Sequence, residues 1–354
     1  MATRYDHRGL AALANTLLRK AGLEPALARD VAEVLVEGDL LGKTTHGLAL
    51  LPSYLQNLMS GKMTPKGRPT VLKKSSTILL LDANYLPGPF VVRRALDWAV
   101  PRAKKHGVAT VSIRRCHHIA CLQAYLEDVT DKGLAILLMC SDPANAVVAP
   151  YGGTRGVFSP NPIGAGFPTT GAPILIDTTT SSLSNAQIAR KYRAKQKFPF
   201  AALQTPSGQP TNGPAVMFKT PPGTIFPLGG IELGHKGFAL SIIVEALTNA
   251  LCGEGRVKKP ARWGASVWLQ IINPAFFGGT AAFARETQFF AQACRKSKPR
   301  PGHPAVRLPG EQSLARRREQ LKKGVELHPE IMPALQPWTE KFGIPLPVAL
   351  KHRK

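Results

Sequence analysis

Thr45-His46-Gly47 sets a hydroxyl beside an imidazole, just ahead of a periodic apolar segment. Histidine titrates near neutrality, so this pair can pass a proton to or from a reacting oxygen. It can equally be a structural cap, with Thr44 or Thr45 as the capping hydroxyl of the following helix. A second imidazole pair, His117-His118, follows the strand-like run Val108–Ile113. In α/β folds that position collects site residues. Adjacent histidines do not share one metal from a helix face, and no third ligand stands at a useful spacing, so no metal is expected. Asp177 ends a short apolar run and is followed by five hydroxyl side chains, Thr178 to Ser182. Such a run can donate to phosphate oxygens or simply form a polar turn. Pro227–Phe238 carries three glycines before His235 and one after Lys236. It reads as a glycine-rich turn opening a helix over 239–251, where backbone N–H groups favour an anion. That helix is apolar on most sides, which predicts burial.

The elements that must position these residues follow from periodicity. Helices are expected over 7–21, 25–41, a third segment ending at Met59, 90–100, 114–131, 281–294 and 312–323. Strands are expected over 77–82, 108–113, 134–139, 173–177 and 267–272. Their alternation predicts an α/β core. The Pro- and Gly-rich stretch 141–171 reads as a long loop, and 190–197 and 205–223 as exposed loops. No GxGxxG follows a strand and no Walker A sequence occurs, so a dinucleotide would bind by another route.

With 354 residues, 44% of them hydrophobic, the chain can form one large or two modest domains. No apolar run reaches the roughly 18 residues of a membrane span. The N-terminal residues open an amphipathic pattern rather than a signal peptide, so a cytoplasmic protein is expected. Five scattered cysteines without CxxC indicate neither a disulfide framework nor zinc. The net charge of +24 raises the possibility of a polyanion-binding protein. Its basic clusters, around 190–197, 295–300 and 316–323, come without any nucleic-acid-binding signature and read better as a solvated surface.

Six motifs occur together and in order: Thr45-His-Gly47, His118-Ile-Ala120, Ser159-Pro-Asn-Pro-Ile163, Ile176-Asp-Thr-Thr-Thr180, Gly234-His-Lys-Gly237 and Arg307-Leu-Pro-Gly-Glu311. Together they resemble the malate/L-lactate dehydrogenase family, from about residue 8 to about residue 345. This is a non-Rossmann NAD(P)-dependent group that includes ureidoglycolate and sulfolactate dehydrogenases and cyclic-imine and diketogulonate reductases. The resemblance implies a three-layer, mixed-sheet α/β cofactor domain over 76–299, with a helical domain built from 1–75 and 300–354. It implies a homodimer that moves a hydride between NAD or NADP and a small carboxylate substrate. His46 would then be the proton donor and Thr45 its relay hydroxyl. His118 would contact the nicotinamide or serve as the alternative acid/base. Ile119, Ala120, Asp177, Thr178, Thr179, Thr180, His235, Lys236, Arg307, Pro309, Gly310 and Glu311 match cofactor-binding segments. Asn161 and Gln187 are the candidate substrate contacts. Two positions depart from the pattern of many relatives. Leu50 stands where an arginine binds the substrate carboxylate, and Gln187 stands where a relay aspartate is found. Lys43, Arg114 or Lys191 is the expected substitute for the arginine; a different substrate or reduced activity is the alternative reading.

Overall fold

A computed structural model describes residues 3–350; residues 1–2 and 351–354, the extreme ends of the expected helical domain, lie outside them. Seven strands form one mixed sheet. Their order is Thr70–Lys74, Ile78–Asp82, Val108–Cys116, Ala265–Ile272, Ala135–Ser141, Pro162–Phe167 and Ile174–Thr179. Ile78–Asp82 and Val108–Cys116 run parallel, joined by the helix Gly88–His106, as a parallel crossover requires. The other neighbouring pairs in this sheet are antiparallel.

Alternation along the central strand assigns the layers. Val267, Leu269 and Ile271 pack into the main core with Ala95, Leu96 and Ala99 of the crossover helix. Trp268 points the other way, against Met139 and Val244 of the helix Gly230–Glu245. A period of two thus gives a helix–sheet–helix sandwich. The chain ends meet beside it. Arg4–Tyr5 pairs with Val325–Glu326, and the helix Ile331–Phe342 packs on His7–Lys20 and Leu51–Met59. One continuous core runs from Leu10 to Leu335, so these terminal helices share their apolar interior with the sheet.

Several expected elements differ, each for a local reason. No continuous helix forms over 114–131; a 3₁₀ turn at Leu122–Tyr125 and a short helix at Glu127–Thr130 are all that follow the strand. The strand continues to Cys116 because Arg114 and Arg115 both bond Asp82 on the neighbouring strand, with Nε of each at 2.9 Å from a carboxylate oxygen. Pro101 does not end its helix, which runs on to His106. Pro101 and Asp97 are exposed, so the carbonyl left without a partner meets solvent. The stretch 141–171 contains the strand Pro162–Phe167, and 185–193 is a helix closed by a Ser184–Gln187 capping box.

The largest difference concerns Gly234-His-Lys-Gly237. The helix already begins at Gly230, so this motif lies inside it and is not the turn before it. Gly234 and Gly237, three apart, share the face that packs inward; a Cβ on Gly237 would stand 2.4 Å from the backbone of Leu228. The glycines serve close packing. The helix is also not buried. Ile231, Leu233, Leu240, Ile242 and Ile243 are each more than a third exposed.

Candidate active site

A cavity of about 590 Å³ gathers the Lys43–Leu50 loop, His118–Leu122, Asp177–Thr179, Ser181–Gln187 and Trp263–Ala265. Nine expected residues line it: Thr45, His46, His118, Ile119, Ala120, Asp177, Thr178, Thr179 and Gln187. The others are placed elsewhere. Asn161 is fully buried, its amide committed to Ser159 and Glu245 in a network closed by Arg256. Thr180 is buried against Pro160 and Ser241. His235 and Lys236 are exposed on the Gly230 helix, with His235 edge-on to Tyr151 at 5.6 Å. Arg307 and Pro309 lie on the surface. Gly310 packs on Leu175, and Glu311 accepts from Leu308 N–H and pairs with Arg295.

The loop that carries His46 is held from two sides. Arg190, on the helix Asn185–Arg193, donates to the Thr44 hydroxyl at 3.0 Å and to the Thr44 carbonyl at 3.1 Å. From below, the Asp39 carboxylate accepts the Leu48 N–H at 2.7 Å. Gly47 passes directly over that carboxyl: a Cβ there would lie 2.4 Å from Asp39 Cγ. Asp39 is wholly buried and its Oδ1 has no partner among the described residues. Burial lifts its pKa from 3.8 to about 7, against the Leu48 N–H and the Arg190 charge.

Within the loop, Thr45 Oγ1 lies 2.9 Å from His46 Nδ1, which leaves Nε2 as the free ring nitrogen. Burial lowers the His46 pKa; the Asp177 charge opposes this, and Lys43 and Arg190 add to it. The ring is therefore neutral at neutral pH, able to accept a proton. His118 faces it, ring centroids 6.0 Å apart and stacked. The Ala120 N–H donates to His118 Nδ1, and the Tyr54 hydroxyl sits 3.0 Å from the same nitrogen while donating to the His118 carbonyl. Nδ1 accepts a backbone N–H, so the proton of the neutral ring is on Nε2. Burial, with the nearby His46 and His117, holds the His118 pKa well below the usual value. His118 is thus a fixed neutral donor rather than an acid. Trp263 covers it at 4.7 Å. The neighbouring His117 takes no part: it is buried between Tyr54 and Trp263, pushed to about 3 by burial.

Asp39, Tyr54, Arg190 and Trp263 have no motif of their own, and the sequence reading passed over all four as site residues. For the helix carrying Arg190, the Ser184-x-x-Gln187 capping box was the readable signal. Tyr54, Asp39 and Trp263 offered none, because their partners are distant in sequence.

The cavity suits a nicotinamide dinucleotide. It falls within the usual range for cofactor and substrate pockets, roughly 300–1,000 Å³. Thr178, Thr179, Ser181, Ser182 and Ser184 form its polar side, the hydroxyls of Thr179, Ser181 and Ser182 donating to backbone carbonyls and left as acceptors, while Ile119, Ala120 and Leu122 offer an apolar wall for a ring.

The model of the malate/L-lactate dehydrogenase family matches residues 5–336. An L-lactate dehydrogenase of Cupriavidus necator is 28% identical over 344 residues, covering 95% of this chain and 97% of that one. A Delta(1)-pyrroline-2-carboxylate reductase of Ancylobacter novellus is 29% identical, covering 92% of this chain and 94% of its own. The solved sulfolactate dehydrogenase from Methanocaldococcus jannaschii superposes with a TM-score of 0.84 at 26% identity, over 96% of this chain and 98% of that one.

Proposed function

The chain belongs to the malate/L-lactate dehydrogenase family and is an oxidoreductase, and on that premise we propose that it transfers a hydride between NAD or NADP and a small 2-hydroxy/2-oxo acid or a cyclic imino acid. The observation that carries this reading is the His46–His118 pair, one ring poised to exchange a proton and the other a fixed donor, facing each other in one cavity.

When bound, the nicotinamide supplies or accepts the hydride. The protein orients the substrate and handles its proton. His46 Nε2 takes the hydroxyl proton in the oxidation direction and returns it in reduction, with Thr45 holding Nδ1. His118 Nε2–H donates to an oxygen in the cavity and stabilises charge that develops there. The Asp177 carboxylate, fixed by the Gln123 N–H at 3.1 Å, favours the imidazolium that forms on His46. Asp177, Thr178 and Thr179, with Ile119 and Ala120, form the cofactor side. Gln187 lies at the cavity rim, its carbonyl oxygen occupied by Ser184.

The exposed apolar side chains of the Gly230–Glu245 helix, Ile231, Leu233, Leu240, Ile242 and Ile243, support a homodimer through that helix. No helix among the described residues is long and apolar enough to cross a membrane. The test is NADH and NADPH oxidation at 340 nm with pyruvate, oxaloacetate and a cyclic imino acid. Turnover with one of them, lowered about 10²–10⁴-fold by His46→Ala, is expected for a general acid/base. Cofactor binding without any turnover would overturn the assignment.

A further inference from the structure

We propose that Lys43 binds the substrate carboxylate, and that Leu50 and Trp263 select an uncharged apolar side chain, so that a monoanionic 2-oxo or 2-hydroxy acid is preferred over a dicarboxylate. The inference rests on the hydride-transfer reading of this cavity. It starts from the charges that line it. Apart from the two imidazoles, these are one cation, Lys43, and two carboxylates, Asp142 and Asp177.

The other cations that might serve are already engaged. Arg114 donates to Asp82 at 2.9 Å, Lys191 to Gln196 at 2.8 Å, and Arg190 to Thr44. The Lys43 ammonium makes no hydrogen bond or ion pair among the described residues, and the residue is half-buried at the cavity wall. Lys43 and His46, three residues apart on one loop, line the same cavity, and the Lys43 charge acts on both the His46 ring and the Cys121 thiol. A carboxylate on Lys43 therefore sets the adjacent carbon near His46, the arrangement a 2-hydroxy acid requires.

The rest of the substrate meets two kinds of wall. Leu50, Ile119, Leu122 and Trp263 are apolar. A second substrate carboxylate would lose its hydration there without a partner, a heavy cost for a charge. The polar parts of the cavity carry Asp142 and Asp177, which repel it. An apolar side chain loses nothing against Leu50 and Trp263 and leaves water on binding.

Four purified proteins test this: the wild type, Lys43→Met, Leu50→Arg and, as the charge-keeping control, Lys43→Arg. Turnover of 4-methyl-2-oxopentanoate, pyruvate and oxaloacetate is measured with NADH and NADPH. Binding of 2-hydroxy-4-methylpentanoate and of malate is measured by titration calorimetry. The wild type is expected to favour the apolar acid over oxaloacetate in kcat/KM by about tenfold or more, because the site leaves a second charge unpaired. Lys43→Met should weaken binding of both acids by about tenfold while cofactor Kd stays within about twofold, and Lys43→Arg should restore most of it. Leu50→Arg should reverse the preference toward oxaloacetate and malate. A wild type that binds malate more tightly than the apolar acid overturns the proposal, as does a Lys43→Met variant whose Kd for both acids is unchanged. Binding with the expected ratio but no turnover would count against the hydride-transfer reading and leave the specificity standing.

Discussion

Asp39 offers the sharpest test of how the His46 loop is built. Its carboxyl is wholly buried, accepts one N–H from Leu48 and leaves Oδ1 without a partner. A pKa lifted from 3.8 to about 7 carries a stability consequence of definite sign. Below pH 3.8 the carboxyl is protonated in both folded and unfolded chains, and nothing is lost. Between pH 4 and 7 the unfolded chain releases this proton while the folded one keeps it, so stability falls as pH rises. Above pH 7 both are ionised and the full cost is present. At about 1.4 kcal/mol per pH unit that cost is about 4 kcal/mol. Asp39→Asn retains an oxygen for the Leu48 N–H and removes the titration. Its new NH₂ occupies the place of the unpartnered oxygen, which costs about 1–3 kcal/mol at every pH. The variant should therefore be less stable than the wild type at pH 4 and more stable by about 1–3 kcal/mol at pH 8. Urea unfolding of both proteins at half-unit steps from pH 4 to pH 8 measures the difference. Two parallel curves across that range would refute the buried, proton-holding carboxyl.

The remaining predictions concern the site and its supports. For oxidation, kcat/KM should rise as pH climbs through the lowered His46 pKa, below 6.5, and then level off; for reduction it should fall over the same interval. Lys43→Met should move that inflection upward and Asp177→Asn downward, because the two charges act on His46 in opposite senses; pH–rate profiles showing no displacement would contradict the charge assignment. Tyr54→Phe removes the hydroxyl that fixes His118 and should lower kcat/KM by about tenfold, the worth of one buried hydrogen bond. A lowered melting temperature with unchanged kcat/KM would confine Tyr54 to a packing role. Arg256→Met leaves Glu245 without its guanidinium partner and should cost about 3 kcal/mol in urea unfolding. Replacing Ile243 by Asp on the exposed helix face should yield monomers in analytical ultracentrifugation, and an unchanged sedimentation coefficient would exclude that face as the subunit contact.

Much of the site is legible because its chemistry is local. Thr45 and His46 are adjacent, His118-Ile-Ala120 is continuous, and Asp177 with its hydroxyls closes a strand whose apolar period is plain. Backbone geometry within a few residues decides where such side chains point, so a sequence window contains the answer. Arg114 shows the opposite case. A helix-compatible local pattern is overridden by Asp82, 32 residues from Arg114, whose carboxylate pairs with both Arg114 and Arg115 at the end of the strand. The Gly234–Gly237 motif is ambiguous in sequence for a related reason. Glycine permits a turn, but it also permits close contact, and only the Leu228 backbone pressed against Gly237 distinguishes them.

By itself, then, the sequence determined the α/β alternation, the pairing of Thr45 with His46 and the absence of a Rossmann fingerprint. All of these are properties of neighbours along the chain. Tertiary structure alone decided that Asp39, Arg190 and Tyr54 hold the two imidazoles. It also decided that Asn161 turns into a buried network and that the Lys43 ammonium, without a partner among the described residues, lines the cavity. The proton affinity of a side chain depends on burial and on the charges that surround it in space. For His46, two of those charges come from Asp177 and Arg190, 131 and 144 residues further along the chain, and folding alone brings them within reach.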